Sequence, residues 1–267
     1  MSVEVFRALL GLLEEHPRVA LATVVEAVGS TPRAAAARMV VLPGGSIRGT
    51  VGGGKFESLV VEDALRLLAG GAAPLLKEYR FLPEGEGAFG AVCGGTARVM
   101  IEVVERPPRL LVVGAGHCGR ALSRLACAAG FEVTVADDRA DLLLPSSFPA
   151  GARLAPVKPD LSDLPLPGPS DAVAVLSRGH VLDGVALRRL RGVPAAYLGM
   201  IGSRAKKKAL FDELRGEGFA EEELARIRCP IGLPIGADSP EEIAVSILAE
   251  IVSVRRGGSG GRATPGP

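Results

Sequence analysis

An apolar run, Leu110–Val113, leads directly into Gly114-Ala115-Gly116-His117-Cys118-Gly119, and a second short stretch, Glu132–Asp137, ends on a carboxylate. This feature restricts the fold more than any other in the chain, because glycines at G-x-G-x-x-G spacing between a strand and a helix belong to a βαβ unit. Gly114 permits the tight turn, and Gly116 lets a pyrophosphate approach the backbone amides. Gly119 lets helix and strand close on each other, and Asp137 is placed to accept hydrogen bonds from a ribose. The pattern predicts a Rossmann-like, doubly wound parallel sheet. NAD(P) or another dinucleotide is the ligand it implies, and retention of the glycines for packing alone is the alternative.

The surrounding sequence continues the alternation. Strands are expected at Leu110–Val113, Glu132–Asp137, Ala172–Ser177 and Ala195–Gly199, with helices over Gly116–Ala129, Gly184–Arg191 and Ser203–Arg215. Continuous apolar strands separated by helices imply a parallel sheet covered on both faces. A closing helix is announced by Ser239-Pro240-Glu241-Glu242, which supplies an N-cap, a proline at the first helical position and a capping box. Upstream the rhythm is different. A helix over Val3–His16 is halted by Pro17, and strands follow at Val19–Ala27, Arg38–Leu42 and Ser46–Val51. Next come a helix at Lys55–Ala69 and strands at Leu75–Leu82 and Thr96–Glu105. At Arg106-Pro107-Pro108 two prolines interrupt any ladder or helix. Residues 1–106 are therefore expected to form an N-terminal mixed α+β domain and 107–256 the doubly wound α/β domain. Residues 257–267 have too little apolar surface to fold and are read as a disordered tail.

Composition narrows the function classes. With 48% hydrophobic and 23% charged residues among 267, the chain can bury a core. Lys+Arg 31 against Asp+Glu 30 gives a net charge of +1, which supplies no global field for nucleic acid or an anionic membrane. No apolar run reaches the ~20 residues of a bilayer span. The acidic opening MSVEVFRALLGLLEEHP does not fit a secretory leader, so a cytoplasmic location is expected. Cys93, Cys118, Cys127 and Cys229 have neither the density of a disulfide framework nor paired zinc spacing, and are read as reduced thiols.

Open parallel sheets bind ligands at the C-terminal ends of their strands. Three segments fall there: Asp137-Asp138-Arg139, Ser177-Arg178-Gly179-His180 and Gly202-Ser203-Arg204. Ser203 and Arg204 are phosphate candidates, while Lys206, Lys207 and Lys208 read as a solvated helix face. His117 and His180 serve either as acid or base or as hydrogen-bonding groups at helix starts. In the N-terminal half, Gly49, Gly52, Gly53 and Gly54 run into the helix that carries Glu57, forming either an anion cradle or a tight turn. Cys93 follows a glycine-rich loop and precedes Gly94-Gly95; it is either an accessible, reactive thiol or a small buried hydrophobe.

Several of these motifs, in this order, resemble the XdhC/CoxI family, the accessory proteins that mature xanthine dehydrogenase and related molybdenum hydroxylases. The likeness lies in ATVVEAVGSTPRAAAARMVV, GTVGGGKFE and CGG, then in LLVVGAGHCGRAL, VADDR, SRGH with LDG, YLGMIGSRAKK and PIGLPIGADSPEEIAVSILAEI. The resemblance implies a non-catalytic factor that binds molybdenum cofactor. Such a factor protects the cofactor while a cysteine desulfurase exchanges its terminal oxo ligand for sulfur, and helps insert it into the hydroxylase. It also implies contact with cofactor biosynthesis proteins and a homodimer. Molybdopterin carries a phosphate, a pterin and a dithiolate-bound metal, so the implied cofactor site comprises Ser30, Arg33, Gly52, Gly53, Gly54, Glu57, Cys93, Gly94 and Gly95, with Cys93 as metal ligand or sulfur-handling thiol. The second-domain set is Gly114, Gly116, His117, Gly119, Asp137, Arg139, His180, Ser203 and Arg204. The chain departs from CoxI-like members in having Lys55 where they carry a cysteine, which argues against a two-cysteine mechanism. An NAD(P)-dependent oxidoreductase acting on a small substrate, with His117 or His180 as acid or base, is the competing reading. The N-terminal motifs discriminate, since hydride transfer has no need of GSTPR, GTVGGGKFE or CGG.

Overall fold

The computed structural model describes residues 2–29, 35–70, 73–81 and 94–257, and divides into two compact units, Met1–Arg106 and Pro107–Pro267. Ser30, Arg33, Cys93 and the tail from residue 258 lie outside the described residues.

The first unit contains α1 (Ser2–Glu15), β1 (Arg18–Val28), β2 (Arg38–Val41), β3 (Ile47–Gly49), α2 (Gly54–Gly70), β4 (Leu75–Arg80) and β5 (Thr96–Glu105). Its five strands form an antiparallel sheet in the order β3-β2-β1-β5-β4. The alternation of β1 and β5 puts Ala20, Ala22, Val24, Ala97, Val99 and Ile101 on one face, where they pack with Phe56, Val60, Ala64 and Leu67 of α2. On the other face Val19, Leu21 and Val40 meet Val5, Leu9 and Leu13 of α1, a four-residue repeat that sets one stripe of that helix inward. Asp63, buried on α2, fastens the helix to β4: it accepts hydrogen bonds from the Tyr79 hydroxyl at 2.7 Å and from Lys77 Nζ at 2.6 Å.

The second unit comprises β6 (Arg109–Val113), α3 (His117–Ala128), β7 (Glu132–Asp137), β8 (Arg153–Pro156), β9 (Ala172–Val175), α4 (His180–Arg189) and β10 (Tyr197–Met200). These are followed by α5 (Arg204–Gly216), α6 (Glu221–Ala225), β11 (Ile227–Arg228) and α7 (Pro240–Arg255). All six strands are parallel, in the order β11-β10-β9-β6-β7-β8. One core layer joins the sheet to α3 and α7 through Leu122, Ala126, Ala244, Ile247 and Ile251; the other joins it to α4 and α5 through Ala186, Leu187, Leu210 and Leu214. This is the doubly wound arrangement that the alternation predicts.

Several elements differ from the sequence reading, among them the five-residue α6, which it did not anticipate. β8 and β11 form the two edges of the sheet: β8, Arg-Leu-Ala-Pro, has no β-branched residue and ends on proline, and β11 has two residues, too few for a period to declare itself. α4 starts at His180, four residues before the expected Gly184, because its first turn exposes Val181 at 69% and hides the apolar pattern. α7 begins as predicted: Ser239 Oγ accepts from Glu242 N at 3.2 Å, and Glu242 Oε2 accepts from Ser239 N at 3.1 Å.

Candidate functional site

In the first unit, antiparallel pairing brings separate motifs to one end of the sheet. β1 and β5 pair as far as Val28 opposite Thr96, so the chain leaves β1 at Gly29 beside the point where it enters β5 from Gly94 and Gly95. A Cβ on Gly29 would stand 3.1 Å from the Gly95 Cα, a tight contact, and its φ of +75° favours glycine there. Phe81 is tied to the same place, donating from its amide to Gly95 O and accepting from Gly94 N, each at 2.9 Å. The Phe81 ring meets Phe56 of α2 edge to face, with centroids 5.0 Å apart. The ring pair thus links the segment of Gly94 and Gly95, bonded to Phe81, with the start of α2, where Gly52–Gly54 precede Phe56 in sequence.

The glycine turn itself is built around Glu57. Its Oε2 accepts from the Thr50 hydroxyl, from Val51 N at 3.1 Å and from Gly53 N at 3.2 Å, while Gly52 N donates to Thr50 Oγ1 at 3.1 Å. The amides of Val51, Gly52 and Gly53 are thus spent on the chain's own side chains, which at these positions fits the tight-turn alternative and not the anion cradle. Glu57 holds the turn in shape. Gly53 and Gly54 have φ of +78° and +62°, and a Cβ on either would meet nothing within 4 Å. Backbone conformation, not crowding, requires glycine there, and the main chain lies open to a ligand. Lys55, exposed at the first turn of α2, adds a positive charge beside it.

The second unit assembles its residues at the C-terminal ends of β6, β7, β9 and β10. Gly119 is demanded by packing: a Cβ would lie 1.9 Å from the Gly114 carbonyl oxygen. Gly116 differs, since a Cβ would meet nothing within 4 Å, and α3 begins there with no side-chain cap. Asp137 is only 3% exposed, and its carboxylate is fully engaged. Oδ2 accepts from Ala115 N at 2.7 Å and Arg139 Nη2 at 3.0 Å; Oδ1 accepts from Arg139 N and Nε, both at 2.9 Å. Burial pushes its acidity down, but the hydrogen bonds from Arg139 and the amides, with the guanidinium charge, prevail and hold the carboxyl below the usual carboxylate range. The residue expected to face a ribose instead braces the glycine loop, and Arg139 is held with it.

Asp138, next in sequence, reaches Arg178, whose Nη2 donates to its Oδ2 at 2.9 Å. His117 and His180 are both exposed at helix starts, and Gly179, His180 and Lys206 line a concavity of about 660 Å³. Ser203 caps α5, accepting from Lys206 N at 3.2 Å, and Arg204 is exposed beside it. Lys206 departs from the solvated face expected of it: it forms an ion pair with Asp183, which is fully buried and also accepts from Ser177 Oγ at 2.5 Å. Asp183 was not among the expected site residues. It lies in the LDG segment of the family resemblance and in the first turn of α4, a place sequence reading missed by starting that helix late. Cys229 is likewise placed by tertiary structure, its Sγ 3.9 Å from Gly202 O, and burial pushes its thiol up. Among the described residues no group of three or more His, Cys, Asp and Glu side chains could hold a metal ion, and no helix is long and apolar enough to cross a membrane.

A glycine-lined antiparallel unit followed by a dinucleotide-type parallel sheet matches two family models: the XdhC and CoxI family over residues 12–80 and the XdhC Rossmann domain over residues 110–251. The chain belongs to the XdhC/CoxI family. Among curated relatives it is 37% identical over 264 residues to YqeB, an uncharacterized protein of Escherichia coli K12, covering 97% of this chain and 48% of YqeB. It is 33% identical over 163 residues to a probable xanthine dehydrogenase subunit of Bacillus subtilis 168, covering 60% of this chain and 47% of that one. The chain therefore spans about half the length of these two relatives. The molybdenum cofactor insertion chaperone PaoD of Escherichia coli K12 is 28% identical over 287 residues, covering 88% of this chain and 83% of PaoD. A crystal structure of a xanthine dehydrogenase from Bacillus halodurans shares the fold, with a TM-score of 0.52 at 21% identity over 97% of both chains.

Proposed function

We propose that this protein is a non-catalytic maturation factor that carries molybdenum cofactor as cargo and delivers it to a molybdenum hydroxylase such as xanthine dehydrogenase. The observation that carries the reading is the close approach of Gly29 to Gly94 and Gly95, tied by Phe81 and its ring contact with Phe56 to the helix that the Gly52–Gly54 turn opens. A glycine-lined edge lets a flat pterin ring lie against the main chain with no side chain in the way. Lys55 supplies a charge to oppose the phosphate. Ser30 and Arg33 follow Gly29 in sequence and Cys93 precedes Gly94, so these three belong to the proposed site, with Cys93 as metal ligand or sulfur-handling thiol. Glu57 keeps the turn in its open form. Likeness to PaoD supports the cargo, and likeness to the Bacillus subtilis protein supports the client. Sulfuration by a cysteine desulfurase while the cofactor is held, receipt from cofactor biosynthesis proteins, a homodimeric state and a cytoplasmic location complete the proposal. The second unit serves as a dinucleotide-binding partner to the carrier, taking NAD(P) or a related molecule.

The test is cofactor retention by protein purified from a cofactor-producing host lacking the hydroxylase, read by released-pterin fluorescence and molybdenum analysis. Wild type is expected to hold both, and Cys93→Ala to lose them. Retention by both proteins would leave the carrier and remove Cys93 from the site. Absence from wild type would overturn the carrier reading.

A further inference from the structure

Resting on the dinucleotide reading of the second unit, the geometry points to Asp138, not the fingerprint carboxylate Asp137, as the group that accepts the ribose hydroxyls, and to Arg178 as a phosphate ligand held in reserve by Asp138. Three observations lead there. Every acceptor direction of Asp137 is directed inward, to Ala115 N and to the main chain and guanidinium of Arg139. The Asp138 side chain is 6% exposed, yet its Oδ1 is buried with no hydrogen-bond partner among the described residues, the nearest charge being Arg139 Nε at 4.0 Å. A buried carboxylate oxygen without a donor is costly unless a ligand supplies one. Finally, α3, a helix of 12 residues, opens at Gly116 with no side-chain cap and with empty space where a Cβ would stand.

The sheet order puts these pieces around one spot. β9 and β7 flank β6, so the ion pair from Arg178, just after β9, to Asp138, just after β7, spans the C-terminal end of β6 where the glycine loop starts. A ligand with both phosphate and vicinal hydroxyls can open this pair without leaving either charge bare. Phosphate takes the guanidinium, which is half-exposed and able to swing, and the diol donates to the carboxylate. The ligand class is a ribonucleotide diphosphate with a free 2′-hydroxyl. A 2′-phosphate would set anion against anion at Asp138, with Arg178 taken by the diphosphate and Arg139 committed to Asp137. The unit therefore discriminates for NAD(H) against NADP(H).

Binding of NADH and NADPH to the full chain, by nucleotide fluorescence and calorimetry, tests this; the chain has no tryptophan to interfere with the optical signal. NADH is expected to bind about tenfold or more tighter than NADPH, and Asp138→Asn to weaken NADH by about tenfold or more while narrowing that gap. Gly116→Val, whose Cβ would meet nothing within 4 Å, should abolish binding with little change in melting temperature, whereas Asp137→Asn should lower the melting temperature. If wild type binds neither nucleotide, the dinucleotide reading itself fails and takes the assignment with it. If nucleotide binds but NADPH is preferred, or Asp138→Asn binds as tightly as wild type, the reading stands and the assignment of Asp138 is overturned.

Discussion

Asp137 shows how much a single side chain is asked to do in this fold. It closes the glycine loop onto the end of β7 by taking the Ala115 amide, and its charge is answered by Arg139. Its folded acidity lies below the unfolded value, so its contribution to stability is complete above the unfolded pKa of about 3.9 and is lost as pH falls through the folded value. Asp137→Asn should cost about 1.5–3 kcal/mol at neutral pH, because it removes charge-assisted hydrogen bonds to a buried group. The deficit should shrink in denaturant titrations run at progressively lower pH below about 4, as the wild-type carboxyl becomes neutral too. A deficit that stays constant across that range would mean the charge of Asp137 contributes nothing. The fingerprint was legible in sequence; the direction its carboxylate faces was not, since that depends on an arginine two residues on folding back over it.

At the scale of elements, what the sequence announced and what it concealed separate by length and by partner. α7, with its Ser-Pro-Glu-Glu start, and β5, whose burial alternates from Thr96 to Glu102, were readable because local chemistry decides them. β8 and β11 were not, because neither Arg-Leu-Ala-Pro nor Ile-Arg has a strand signal of its own and each exists only through its neighbour. The convergence of Gly29 with Gly95 was similarly invisible, since it follows from β1 pairing with a strand far along the chain. The attachment of α7 to the sheet is another such case. Glu250 accepts from Tyr197 Oη at 2.6 Å, from Gly232 N at 2.9 Å and from Arg228 Nη1 at 3.1 Å, joining the helix to β10, to β11 and to the following loop. Burial, then the hydrogen bond to Glu250 and its charge, pushes the tyrosine's ionisation far above its ordinary value, so it remains a donor throughout the useful alkaline range. Tyr197→Phe should destabilise the second unit by about 1–3 kcal/mol, because a buried carboxylate loses a donor. Chemical denaturation monitored by circular dichroism checks it; a change under about 0.5 kcal/mol would show that Arg228 and Gly232 suffice.

Over the whole molecule, each unit holds its own core: the first between its sheet and the helices α1 and α2, the second in two layers around the parallel sheet. Residues 107–257 produced alone are accordingly expected to unfold in one cooperative transition, measured by thermal circular dichroism, and a broad, non-cooperative melt would show that they depend on the first unit. The first unit carries a different consequence in its strand order. β5, the last strand made, lies between β1 and β4 and pairs along nearly its whole length, from Thr96 opposite Val28 to Glu105 opposite Arg18. A nascent chain that has emerged only as far as Gly95 can form the local β1-β2-β3 meander, but β1 is left with an open flank and β4 with no neighbour at all. Residues Val19–Val24, which β5 would shield, stay available to any other extended chain. Translation order thus opposes assembly order, and the ribosome-bound intermediate is most prone to clump just before its closing strand arrives.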